Sequence, residues 1–181
     1  MTNISINETA SSIFFQHHRA GSLNQDEVLT TQASEDQVLL QARRQALDTH
    51  LPFAGSVTPQ DAWHLIQHHL AVLVDVRTNE ERKFVGYVSE SVHVAWMTGT
   101  QMNKNPRFVK ELEAKIKDKA TVILLLCRSG KRSAAAAEAA SKAGFQQVFN
   151  VQDGFEGDLN EAQQRGQQGG WRWHDLPWIQ D

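Results

Sequence analysis

The segment that most constrains the fold is Thr121-Val122-Ile123-Leu124-Leu125-Leu126, which runs into Cys127-Arg128-Ser129-Gly130-Lys131-Arg132 and then into an alanine-rich stretch from Ser133 to Ala143. An apolar run with no polar alternation reads as a strand buried on both faces. The alanine-rich stretch reads as a helix, with Gly144 in the C′ role that stops it. Strand, short glycine-containing loop and helix in that order are the unit of a parallel sheet covered by helices on both faces. Ligands of such sheets bind beyond the carboxyl ends of the strands, which is where Cys127 stands.

The rest of the chain continues the alternation. Thr58 or Asp61 caps a helix predicted through His69, with Pro59 in its first turn. Ala71 to Val76 is a short apolar strand, and Asn79 to Phe84 a short helix stopped near Gly86. Ser91 to Val94 is a second short strand, Asn105-Pro106 opens a charged helix to about Lys117, and Gln147 to Asn150 is a further strand. A short helix is predicted around Gly157 to Arg165, ahead of a tail rich in glycine and tryptophan. Residues 1–33 are polar and are expected to be disordered or loosely docked. Ser34 with Gln37 resembles a capping box, and Val38, Leu39, Ala42, Ala46 and Leu47 recur at helical spacing, so a helix is predicted near 34–50. Leu51-Pro52-Phe53-Ala54-Gly55 breaks it. The expected organisation is an N-terminal extension, 1–50, and a domain, 51–181.

Cys127 is the only cysteine. A thiolate there meets a helix N-terminus, the N–H groups that Gly130 lets converge, and the cations of Arg128, Lys131 and Arg132. Each favours the anion over the thiol, so the loop predicts a nucleophilic cysteine and an anionic substrate. The bland alternative is a buried structural cysteine. Asp75 and Arg77, at the end of their strand, are either catalytic or, the favoured reading, a pair that orders a loop. His64 and His68 have metal-ligand spacing but no evident third ligand, so neither a metal nor a cofactor is assigned. Trp171, Trp173 and Trp178 are expected to fold back over the domain edge, and Trp96 either lines the pocket or packs.

The formal net charge of -3 implies no nucleic-acid partner, and the longest apolar runs fall short of the roughly 20 residues that cross a bilayer. The first residues carry neither a basic nor an apolar segment of a secretory signal, and a lone cysteine suits a reducing compartment. The cytoplasm is the expected location.

Taken in order, the motifs resemble the rhodanese family of sulfurtransferases. The resemblance rests on Val74-Asp75-Val76-Arg77, on Gly86 to Trp96 (GYVSESVHVAW), on Cys127 to Ser133, on Gly154-Phe155-Glu156-Gly157 and on Leu176-Pro177-Trp178, and covers about residues 52–181. It implies a three-layer α/β sandwich with a central parallel sheet of five strands. It also implies that Cys127 attacks the outer sulfur of a small anionic donor such as thiosulfate and becomes a persulfide. Arg128, Ser129, Gly130, Lys131, Arg132 and Ser133 would bind the donor, with Asp75 and Arg77 in support. The acceptor would be cyanide or a thiol, including a thiol on a partner protein, since no second cysteine is present to resolve the persulfide. A persulfide relay or a non-catalytic binding module is the alternative. A phosphatase or arsenate reductase is a lesser one, because those loops are longer and place Arg where Ser133 stands. The segment Gly86-Tyr87-Val88-Ser89-Glu90-Ser91 lacks the family's usual His, Pro and Gly.

Overall fold

The computed structural model describes residues 25–181, with side chains from Gln37 onward. The elements are α1 (Gln25–Asp48), β1 (Gly55–Val57), α2 (Pro59–Gln67), β2 (Val72–Asp75), α3 (Asn79–Val85), β3 (Val92–His93), β4 (Met97–Thr98), β5 (Asn103–Lys104), α4 (Phe108–Lys115), β6 (Val122–Leu126), α5 (Lys131–Lys142) and β7 (Gln147–Val151). The main sheet has five strands in the order β1-β7-β6-β2-β3, and every pairing is parallel. The expected parallel α/β architecture is the one observed.

Alternation along β6 divides the core into two layers. Ile123 and Leu125 pack with Phe108, Leu112 and the alanines Ala136, Ala137 and Ala140 on the α4–α5 face. Leu124 and Leu126 pack with Leu39, Ala42, Leu65, Phe149, Phe155 and Trp171 on the opposite face. All four β6 residues are fully buried, each worth about 1.5–3 kcal/mol in apolar transfer. Small side chains on α5 let its backbone lie close to the sheet. Cys127 continues the Ile123–Leu125 face, which places it on the α5 side of the strand end.

Local chemistry starts the helices. The Thr58 hydroxyl accepts from Asp61 N–H at 3.1 Å, with Pro59 in the first turn of α2. Thr78 and Glu81 form a reciprocal capping box on α3. α5 has no side-chain cap; Gly130 supplies a left-handed residue at φ 82° instead.

Several expectations need correction. The helix predicted near 34–50 begins at Gln25, so Ser34 lies inside it rather than at its cap, and 25–33, expected to be disordered or loosely docked, is helical backbone. The expectation for residues 1–24 lies outside the described residues. The helix predicted around 157–165 is a closed loop: Gly166 N–H donates to Glu156 O, and Gly157, Gln163 and Gly166 take positive φ values that no right-handed helix tolerates. α4 begins at Phe108, not Asn105, because the Asn105 side chain accepts from Arg107 N–H and holds a turn ahead of the helix. Strand β1 and the β4–β5 hairpin were not expected; both are too short to show a period.

Candidate active site

Cys127 follows the last residue of β6 and is fully buried. The Ser133 hydroxyl lies 3.2 Å from its Sγ, 3.0 Å from Gly130 O and 2.6 Å from Asn150 Oδ1. A hydroxyl has one proton to donate, so these acceptors compete for it. Gly130 turns the chain into α5, whose first-turn N–H groups have no intrahelical acceptors and carry the positive end of the helix dipole.

The three cations predicted around the sulfur differ in their situation. Arg132 is mostly buried and bonded through both terminal nitrogens to Glu81, at 2.7 and 2.5 Å. Burial works against its charge, but the bonds and charge of Glu81 outweigh it, and Cys127 and Asp75 add to them, so the guanidinium is held above its ordinary range. Glu81 responds in kind: burial pushes its carboxyl up, while Arg132, the Thr78 N–H and Arg77 pull it below the usual carboxylate range. Lys131 is the opposite case, with its side chain 82% exposed and its ammonium 3.7 Å from Asp158. Arg128 is half-buried, and its buried Nε has no hydrogen-bond partner among the described residues. Ser129 lies between them, half-buried.

Asp75 and Arg77 are both fully buried and pair through Arg77 Nε at 3.0 Å and Nη2 at 2.7 Å. Arg82 adds a second guanidinium to the same carboxylate at 2.9 Å. Burial pushes the Asp75 carboxyl up, but Arg77 and then Arg82 bring it below the usual range. Arg77 also donates to Gly86 O at 2.8 Å and stacks over Phe155 at 3.9 Å. Phe155 N–H in turn donates to Cys127 O at 2.8 Å. The pair thus contacts the cysteine loop through Phe155, and its charges also bear on Arg132 and Glu81.

Glu81 and Asn150 were not singled out from the sequence, and Gly154-Phe155-Glu156-Gly157 was noted only for the family resemblance, not for its bonds to the cysteine loop. Thr78-x-x-Glu81 is a legible capping box and could have drawn notice to Glu81. Asn150 is a polar residue flanked by the apolar Phe149 and Val151 of β7, a weaker signal. Trp96 packs edge-on against Phe108 at 5.0 Å and also lines a cavity of about 420 Å³ with Lys104 and Asn105, between α4 and α5. The tail folds back as expected: Trp171 is fully buried and Trp178 packs edge-on against Phe155, whereas Trp173 remains half exposed.

This strand–loop–helix site on a parallel sheet has known counterparts. The sequence matches the Rhodanese-like domain family over residues 58–161. An uncharacterized protein of Rickettsia prowazekii, RP600, is 39% identical over 118 residues, spanning 63% of this chain and 87% of that protein. The crystal structure of Rv0390 from M. tuberculosis is similar with a TM-score of 0.64 and 43% identity, covering 71% of this chain and 99% of that one. A thiosulfate sulfurtransferase from Pseudomonas aeruginosa shares the fold at 16% identity, with a TM-score of 0.52 over 83% of this chain and 23% of that one. The chain belongs to the rhodanese-like domain family and has the sulfurtransferase-type fold.

Proposed function

We propose that this protein is a sulfurtransferase that carries sulfur on Cys127. The observation that supports this most is the setting of Sγ, with the Ser133 hydroxyl at 3.2 Å and the open first turn of α5 leading out of the same loop. In the first half-reaction the Cys127 thiolate attacks the outer sulfur of thiosulfate or a similar anionic donor. The bond between the two donor sulfurs breaks, its electron pair leaves with sulfite, and Cys127 becomes a persulfide. In the second half-reaction a thiol or cyanide takes the outer sulfur and the electron pair of the S–S bond returns to Sγ. Charge on the donor and the departing sulfite calls for fixed positive groups and N–H donors.

Arg128, Ser129, Gly130, Lys131, Arg132 and Ser133 are the donor loop. Arg132, committed to Glu81, contributes a held charge. Lys131 meets the donor at the mouth, and Arg128 is free to grip it. Asp75 and Arg77 act by supporting the loop through Phe155. The proposed setting is a reducing compartment such as the cytoplasm, where the single cysteine stays available.

The complete burial of Cys127 favours a second reading, a binding module or a relay that accepts sulfur only from a docked partner. Intact mass after incubation with thiosulfate, for wild type and Cys127→Ser, decides between them. A gain of one sulfur in wild type alone, reversed by cyanide with release of thiocyanate, is the expected result. No gain in the native protein with either thiosulfate or 3-mercaptopyruvate would sink the enzymatic reading.

A further inference from the structure

Beside the cysteine loop lies a polar cavity of about 200 Å³ lined by Glu156, Arg165, Gly166, Gln167 and Arg172. Its wall is joined to the loop: Glu156 N–H donates to Arg128 O at 2.9 Å, one residue beyond Cys127. Its guanidinium groups are positioned by the fold. Arg165 Nη1 donates to Gly157 O at 2.6 Å, and Arg172 stacks over Trp178 at 4.6 Å. Among the described residues neither guanidinium has a carboxylate partner, Glu156 included. None of these positions takes part in the sulfur chemistry above.

We infer that this cavity binds a carboxylate of the low-molecular-weight thiol that accepts sulfur from Cys127, an inference that rests on the sulfurtransferase reading. Two guanidinium groups against the single carboxylate of Glu156 leave one positive charge, which suits a monoanionic carboxylate better than a dianionic phosphate. The donor carries its charge at the reacting end, where the loop itself meets it. A cation pair in a cavity whose wall is bonded to the loop at Arg128 meets charge remote from the reacting sulfur, as a carboxylated thiol provides. The acceptor thiolate attacks the outer sulfur of the persulfide. A new S–S bond forms on the acceptor, the old one breaks, and its electron pair returns to Cys127.

The test uses the full chain loaded with thiosulfate until intact mass shows the added sulfur, then discharged to glutathione or to glutathione diethyl ester, which has the same thiol with its carboxylates blocked. The expected result is a kcat/KM about fivefold or more in favour of glutathione, a ratio that falls toward one in Arg165→Gln/Arg172→Gln. Arg172→Lys should keep more of the preference than Arg172→Gln. Equal discharge of the loaded wild type to both thiols would overturn the inference without any variant. So would an unchanged ratio in a double variant that still loads. Failure to load, seen by mass before any acceptor is added, overturns the sulfurtransferase reading and this inference with it.

Discussion

Glu81 illustrates how one side chain can serve two purposes at the site. It closes the capping box of α3 by accepting from Thr78 N–H at 3.0 Å, and it holds both terminal nitrogens of Arg132. Its carboxyl lies below its ordinary 4.5, so it is ionised in the folded state at pH values where the unfolded chain has begun to take up protons. The stability it lends is complete above that value and is lost as acid carries the pH down through the lower folded value. Glu81→Gln keeps the shape and an acceptor but not the charge. We expect it to cost about 1–3 kcal/mol at neutral pH, the range for charge-assisted hydrogen bonds. Urea melts at a series of pH values should show a flatter acid limb than wild type below 4.5. A parallel loss of stability in both proteins would contradict the assignment. Asp75 is the more deeply buried analogue. Asp75→Asn leaves Arg77 and Arg82 without their shared carboxylate and should cost about 3–5 kcal/mol, measured by the same melts.

At the scale of elements, the cysteine loop is a joint between β6, α5 and the turn that follows β7. Phe155 and Glu156 donate to the carbonyls of Cys127 and Arg128 at 2.8 and 2.9 Å. Gly154 makes that approach possible: at φ 62° a Cβ would overlap the Cys127 carbonyl oxygen. From the other side, Met102, in the β4–β5 turn, reaches Arg132 with its sulfur 3.7 Å from Nη1. We expect Gly154→Ala to destabilise by about 1–3 kcal/mol through strain and overlap. It should also slow persulfide formation more than that loss explains, because the displaced carbonyl belongs to Cys127 itself. Mass-resolved loading rates beside thermal melts separate the two effects, and normal loading by a destabilised variant would show that the turn is only scaffolding.

Across the whole molecule, the tail completes the layer on the face of α1 and α2. Trp171 is fully buried, donates its indole N–H to Pro177 O at 2.9 Å and meets Trp63 edge-on at 5.9 Å. Beyond it, Tyr87 and Ile179 exchange both backbone hydrogen bonds at 2.8 Å, tying the last residues to the segment after α3. Trp171→Ala should cost about 3–5 kcal/mol, a large share of the roughly 5–15 kcal/mol that holds a typical domain together. Denaturant titration checks it. A loss under 1 kcal/mol would mean that the tail adds little to the core.

The strand–loop–helix unit, the parallel sheet and the place of Cys127 at its carboxyl edge were legible in the sequence, because continuous apolar strands, alanine-rich helices and glycine turns are local signals. Thr58 and Gly144 marked helix ends for the same reason. The long α1 was legible only in its second half, since the first half lacks apolar periodicity. The loop at 157–165 read as a helix because its polar residues are helix-compatible; glycines at positive φ and a closing hydrogen bond to Glu156 decide otherwise. Charge was the least legible quantity. The sequence counts Arg128, Lys131 and Arg132 as equal cations beside one sulfur. Tertiary structure binds Arg132 to Glu81, 51 positions away, exposes Lys131 and leaves Arg128 Nε without a partner among the described residues. Asn150 reaches Ser133 across 17 positions in the same way. The sequence by itself determined which groups the loop carries. Only the tertiary structure decided which of them are already engaged, because ion pairs and hydrogen bonds between distant residues depend on distance and burial, which local sequence does not encode.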